Sequence, residues 1–180
     1  MASGNGDPGT GPWFLQLDGN GERFCDEAAG TTLAHPIGSP IVTFFDSNYI
    51  EVLGMMPPRH MAPDTSAKMN WRSRYGSFSN IKPGPLSKGQ QGGPIMGGGM
   101  GGLPGVSGST CSANTIEELI DYTGCYSGDT LKKALAEITR YNQMCEKGVD
   151  EDFGKDPRIM KVTGLKTPPF YATVGTYNGG

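Results

Sequence analysis

Clustered glycine and proline limit what this chain can fold into more than any other feature. The 180 residues hold 29 Gly and 14 Pro, roughly twice an average share, gathered in blocks. Glycine leaves the backbone too free, and proline removes a donor and fixes φ, so neither suits the interior of a helix or strand. Residues 1–12 therefore read as a disordered lead-in and 57–108 as an irregular, Gly- and Met-rich loop. The packed core must come from the segments between and after them.

Charge and composition remove several functional classes. With 15 Lys+Arg against 18 Asp+Glu, the net charge of −3 gives no overall positive field to hold a phosphate backbone. No run approaches the roughly 20 apolar residues of a membrane helix, and Met1-Ala2-Ser3-Gly4 opens no signal peptide. A cytoplasmic protein without membrane or nucleic-acid partners is expected. Cys25, Cys111, Cys125 and Cys145 form no C-x-x-C pair and sit at no metal-ligand spacing with the histidines. They are expected to be reduced structural thiols, with no metal site. Arg59, His60, Lys68, Arg72 and Arg74 interleave with Trp71 and Tyr75. That stretch superficially resembles a single-strand nucleic-acid binder, but without basic charge elsewhere it reads as a solvated loop or an anchor for an anionic ligand.

Trp13-Phe14-Leu15-Gln16-Leu17 reads as a strand, and Asp18-Gly19-Asn20-Gly21 as the turn of a hairpin that returns through Glu22-Arg23-Phe24-Cys25. Ile41 to Phe45 is a second, buried strand, stopped by Asp46-Ser47-Asn48 in a turn or helix cap. Thr115-Ile116-Glu117-Glu118 is a capping box opening a short helix. A longer helix starts near Ser127 to Asp129 with Leu131, Leu135, Ile138, Tyr141 or Asn142, and Cys145 on one face, and Gly148 ends it in a left-handed cap. Pro168 and Pro169 then lead into a strand through Phe170-Tyr171-Ala172-Thr173-Val174.

Three separated motifs carry a family resemblance. The run from Asp18 to Glu27 resembles the N-x-x-Gly-x-Arg-Phe-x-(Asn/Asp)-Glu segment of the fumarate reductase and 3-ketosteroid dehydrogenase superfamily of FAD-dependent oxidoreductases. The stretch from Thr115 through Tyr141-Asn142 to Val149-Asp150-Glu151-Asp152-Phe153-Gly154 is similar to that family's helix pair and acidic loop. Pro169-Phe170-Tyr171-Ala172 followed by Thr176-Tyr177-Asn178-Gly179-Gly180 resembles its approach to the second half of the flavin domain.

The resemblance implies an α+β flavoprotein cap over residues 13–168, with short strands, two to three helices and a long Gly-rich loop, and a strand over 169–180 returning toward an FAD-binding domain. No strand-turn-helix G-x-G-x-x-G unit precedes it, so FAD would be held mainly by segments absent from this chain. A gene fragment, an excised domain or a split subunit is expected. The function implied is hydride transfer to or from a C=C conjugated to a carbonyl, on an enone, ketone or unsaturated acid. The alternative is a non-catalytic binding module, or a subunit pairing with a separate FAD-binding chain.

Within that resemblance Glu27 matches a proton-relay glutamate, and Tyr171 matches a tyrosine that points its hydroxyl at a substrate carbonyl oxygen. Gly179 and Gly180 would let the backbone approach the isoalloxazine. Each residue also has a plainer reading: Glu27 as an ion-pair partner, Tyr171 as interface packing, and the glycines as a turn. The pattern departs from fumarate-reducing members. Ala28-Ala29-Gly30-Thr31-Thr32 and Asn48-Tyr49-Ile50-Glu51 lack the family's arginines, and Gly175-Thr176 stands where its histidine would be. These departures point away from a dicarboxylate substrate.

Overall fold

The computed structural model describes residues 13–28, 40–55, 81–86 and 110–175. Leu15–Leu17 (β1), Ile41–Phe45 (β2), Thr110–Ala113 (β3) and Phe170–Gly175 (β4) pair antiparallel in the order β1-β2-β4-β3. The helices among the described residues are Tyr49–Met55 (α1), Ile116–Thr123 (α2), Gly128–Lys147 (α3) and Pro157–Thr163 (α4), giving an α+β fold.

Register decides which face each side chain takes, because successive residues of a strand point to opposite sides. Leu15, Phe44, Ala172 and Cys111 lie in one row across the sheet. They join Leu119 and Ile120 of α2 and Ala134, Ile138, Tyr141 and Met144 of α3 in the main core. One residue along, Phe45, Tyr171 and Ser112 form the opposite row. That second face carries a separate cluster of Trp13, Phe14, Phe45, Tyr49, Val52 and Tyr171, with Ile159 and Val162 of α4 packed against it.

The caps follow the sequence. The Thr115 hydroxyl accepts from the Glu118 N–H at 3.2 Å, Ser127 is the N-cap of α3, and Gly124 and Gly148 close α2 and α3 at φ 62° and 72°. Asp46 does two jobs at the end of β2. Its Oδ1 accepts from the Asn48 N–H at 2.9 Å to start α1, and its Oδ2 accepts from the Lys166 and Thr167 N–H groups at 3.1 and 3.0 Å. The approach to β4 is thereby fixed to β2.

Several expectations need correction. Leu17 and Arg23 share a single bridge, and the ladder partner of β1 is β2 instead of the 22–25 segment, so the hairpin is only a turn. Among the described residues four helices form, beyond the expected two to three. The buried face of α3 is Ala134, Ile138, Tyr141, Met144 and Cys145, with Leu131 and Leu135 only partly buried. The four cysteines, by contrast, are free thiols as expected. The lead-in 1–12 and, apart from 81–86, the irregular 57–108 loop lie outside the described residues.

Candidate functional site

The Asp18 turn aims the next residues inward. Asp18 Oδ1 accepts from the N–H groups of Asn20 and Glu22 at 2.9 and 3.2 Å, and its carbonyl accepts from Gly21 at 3.0 Å. Gly21 sits at φ 78°, with the backbone of α3 against its Cα. Two residues on, the Arg23 guanidinium is fully enclosed between the rings of Tyr141 and Phe153, each centroid 5.0 Å away.

Arg23 gives four hydrogen bonds to two carboxylates. Nε and Nη2 reach Glu27 at 3.0 and 2.9 Å, while Nη1 and Nη2 reach Asp150 at 2.8 and 2.9 Å. Glu27 also accepts from the Gln16 N–H at 3.2 Å and from Lys155 Nζ at 3.0 Å. Lys155 Nζ in turn donates to the Trp13 carbonyl and, at 3.0 Å, to the Tyr141 hydroxyl, which pairs with Thr163 Oγ1 at 2.7 Å. The side chains of Arg23, Glu27, Asp150 and Lys155 have no exposed surface. Two cations therefore balance two anions, and charge-assisted bonds compensate the desolvation that burial imposes.

Burial opposes the charge on both Arg23 and Asp150, and the pairing overcomes it. The Arg23 pKa is raised despite desolvation, because Glu27 and Asp150 bond its charged form. Desolvation would raise Asp150, but the Arg23 guanidinium and the backbone N–H groups of Lys155 and Asp152 hold it at about 2. The folded pKa is thus below the unfolded one, so the stability it contributes is present above about pH 4 and is lost as pH falls toward 2. Asp150→Asn should flatten the acid limb of a stability-versus-pH curve over that window by about 2 kcal/mol, read by urea unfolding at stepped pH.

Tyr171 belongs to the other face of the sheet. Its ring stacks on Phe45 at 5.3 Å and meets Tyr49 edge-on at 5.7 Å, with Phe14 at 5.2 Å from Phe45. The residue is buried, and desolvation raises the pKa of its phenol, which stays a hydrogen-bond donor at neutral pH. Cys25 and Cys111 are both pushed up to about 12 by burial, so neither is a thiolate nucleophile. Among the described residues no group of three or more His, Cys, Asp or Glu could hold a metal, and no helix is long and apolar enough to cross a membrane.

Glu27 and Arg23 are thus brought together, whereas Tyr171 lies in the aromatic cluster. Trp13 joins the two: its carbonyl accepts from Lys155, and its indole packs in the cluster of Tyr171. Gly179 and Gly180 lie outside the described residues. Lys155, Asp150, Tyr141 and Trp13 were not among the site residues expected from sequence. A lone lysine after the acidic 150–152 run, beside the motif's Asp150, was the signal available for Lys155.

No family model matches the chain. A digoxin reductase of Eggerthella lenta is 35% identical over 85 residues, which cover 44% of this chain and 14% of that protein. Among solved structures, a 3-ketosteroid-Δ4-(5α)-dehydrogenase of Rhodococcus jostii RHA1 aligns with a TM-score of 0.48 and 15% identity, over 94% of this chain and 27% of that one. The open conformation of a flavocytochrome c3 fumarate reductase aligns with a TM-score of 0.48 and 17% identity, over 98% and 23%. A 3-ketosteroid Δ1-dehydrogenase of Sterolibacterium denitrificans aligns at 0.44 and 16%, over 94% and 28%. The chain therefore spans less than a third of the length of each of these proteins. Over 85 residues the chain is thus similar in sequence to part of a digoxin reductase, and its three ordered motifs resemble segments of the fumarate reductase and 3-ketosteroid dehydrogenase superfamily of FAD-dependent oxidoreductases.

Proposed function

We propose that this chain is the substrate-covering cap of an FAD-dependent oxidoreductase acting on a C=C conjugated to a carbonyl, or on its saturated counterpart. The supporting observation is Tyr171, a protonated phenol held in an aromatic wall by Phe45 and Tyr49. Such a group can donate to a carbonyl oxygen as enolate charge develops. Arg23 favours a neutral ketone or enone over a dicarboxylate, because its positive charge is already taken by Glu27 and Asp150.

The described residues do not fit the flavin itself. Their sheet is antiparallel, and no strand runs through a glycine turn into a helix N-terminus that could receive a pyrophosphate. In this reading FAD, and with it the hydride chemistry of the family, is held by a flavin-binding unit on a separate chain or segment. The present residues supply the wall, the exclusion of water and the carbonyl donor. Gly179 and Gly180 are proposed as the backbone nearest the flavin. Glu27 enters as an anchor of β1 in place of the relay role that the resemblance implies, since four N–H donors already fill its two oxygens.

Tyr171→Phe, in the chain combined with its flavin-binding unit, should lower kcat about a hundredfold, the usual contribution of a general acid-base group. Steady-state turnover on an enone checks it, and a rate within about threefold of wild type would remove the proposed role.

A further inference from the structure

Lys155 ties together more of the molecule than charge balance requires. Its buried ammonium directs three N–H groups to three acceptors from distant parts of the chain: the Trp13 carbonyl, Glu27 Oε2 at 3.0 Å and the Tyr141 hydroxyl at 3.0 Å. Only the Glu27 contact neutralises a charge, and the other two fix positions. The Trp13 carbonyl belongs to the peptide group that joins Trp13 to Phe14; the Phe14 ring lies 5.2 Å from Phe45, which stacks on Tyr171 at 5.3 Å. An ammonium can only donate, so the Tyr141 hydroxyl accepts from it and donates to Thr163 Oγ1 at 2.7 Å, and Thr163 donates in turn to the Ile159 carbonyl at 3.0 Å. Ile159 and Val162 of α4 pack against the aromatic cluster that holds Tyr171. One buried side chain thus reaches Tyr171 by two separate routes.

We propose that Lys155 is a positioning residue for the Tyr171 phenol, holding Trp13 and Phe14 through the main chain and α4 through Tyr141 and Thr163; this rests on the Tyr171 role proposed above. A donor to a developing enolate works only when held within about 0.5 Å and 10–20° of its productive place, and a shift of about 1 Å can cost about a hundredfold in rate. Stacked and edge-on rings tolerate a range of offsets, so the aromatic wall needs a directional anchor, which the hydrogen bonds of Lys155 supply. A lysine suits the task better than a second arginine. Its three donors diverge toward three segments of chain, whereas a guanidinium is a flat fork matched to carboxylates, as at Arg23.

The first readout needs no flavin. In the full 180-residue chain labelled with 3-fluorotyrosine, the fluorine resonance of Tyr171 is the one missing from Tyr171→Phe. Lys155→Met should shift or broaden it, and so should Tyr141→Phe, which keeps the ring and removes only the hydroxyl that leads to α4. A Tyr171 resonance that stays in place in both variants overturns the proposal, whatever Tyr171 does in turnover. The second readout is steady-state turnover on an enone by the chain combined with its flavin-binding unit, well below the melting temperature of each variant. Lys155→Met should lower kcat about tenfold with KM within about twofold. Introduced into Tyr171→Phe, the same change should lower kcat by less than about twofold, because the phenol it positions is gone. A lysine that only stabilises the fold would lower kcat equally in both backgrounds, and that result overturns the proposal. Where Lys155→Met fails to fold, Tyr141→Phe carries the same cycle, with a loss of about threefold expected. Full activity in Tyr171→Phe alone would instead remove the role on which the inference rests, and the fluorine resonance then decides whether Lys155 orients the ring.

Discussion

Glu27→Ala is expected to lower the unfolding free energy by about 3–5 kcal/mol, the cost of breaking a buried ion pair from one side. Four N–H donors lose their acceptor at once: the Gln16 amide, two groups of Arg23 and Lys155 Nζ. Two buried cations then face one anion, Asp150. Glu27→Gln should recover little of the loss, because its amide NH2 must point at either Arg23 or Lys155. Urea unfolding of the purified variants measures this, and a midpoint shift is the signal, since the native fold otherwise stays the same. A Glu27 that served only as a relay would behave differently: its removal would leave stability within about 1 kcal/mol and change turnover alone.

Gly21→Ala should cost about 2–4 kcal/mol by a different mechanism. At φ 78° a Cβ is strained on its own account, by about 1–2 kcal/mol. The added carbon would also stand 2.7 Å from the Thr130 carbonyl oxygen and 2.9 Å from the Ala134 nitrogen, both backbone atoms of α3. Helix backbone cannot swing aside as a side chain can, so either the turn lifts or the helix shifts. Lifting the turn would withdraw Arg23 from Glu27 and Asp150. Gly154→Ala is the control, with a similar φ of 71° and nothing within 4 Å of the added Cβ. It should lose only about 1–2 kcal/mol, from backbone strain, and thermal melts of the pair separate strain from collision.

Much of the frame was legible because its signals are local. Thr115 with Glu118, Ser127 and Gly148 mark helix ends by chemistry that acts over three or four residues, and Ile41 to Phe45 is apolar and β-branched enough to read as a strand. The missed elements lean on distant partners. β3 is Thr-Cys-Ser-Ala, small residues without a pattern, and it is a strand because β4 offers it a ladder. α1 has seven residues and includes Gly54, too short to be stable on propensity, and it forms on the Asp46 cap and the aromatic cluster. α4 did carry a readable start, Asp156 before Pro157 at the first helical position.

The site divided along the same line. Tyr171 and Glu27 were singled out through motifs, but the groups that hold Glu27 and its partner Arg23 come from elsewhere in the chain. Asp150 lies 127 residues from Arg23, and Lys155 lies 128 from Glu27 and 142 from Trp13. No periodicity in sequence encodes such pairings; they depend on the helices packing first. The turn was read correctly at Asp18 to Gly21, while its return strand was not, because β2 supplies a longer apolar partner for β1 than residues 22–25 can.

Whether these residues form the substrate side of a flavoenzyme, and not its dinucleotide-holding floor, is tested most directly by the absorbance of the purified 180-residue chain near 450 nm, the oxidised-flavin band. The expected spectrum has no flavin band after gel filtration, even when FAD is supplied in excess. Stoichiometric yellow cofactor retained by the chain alone would contradict it.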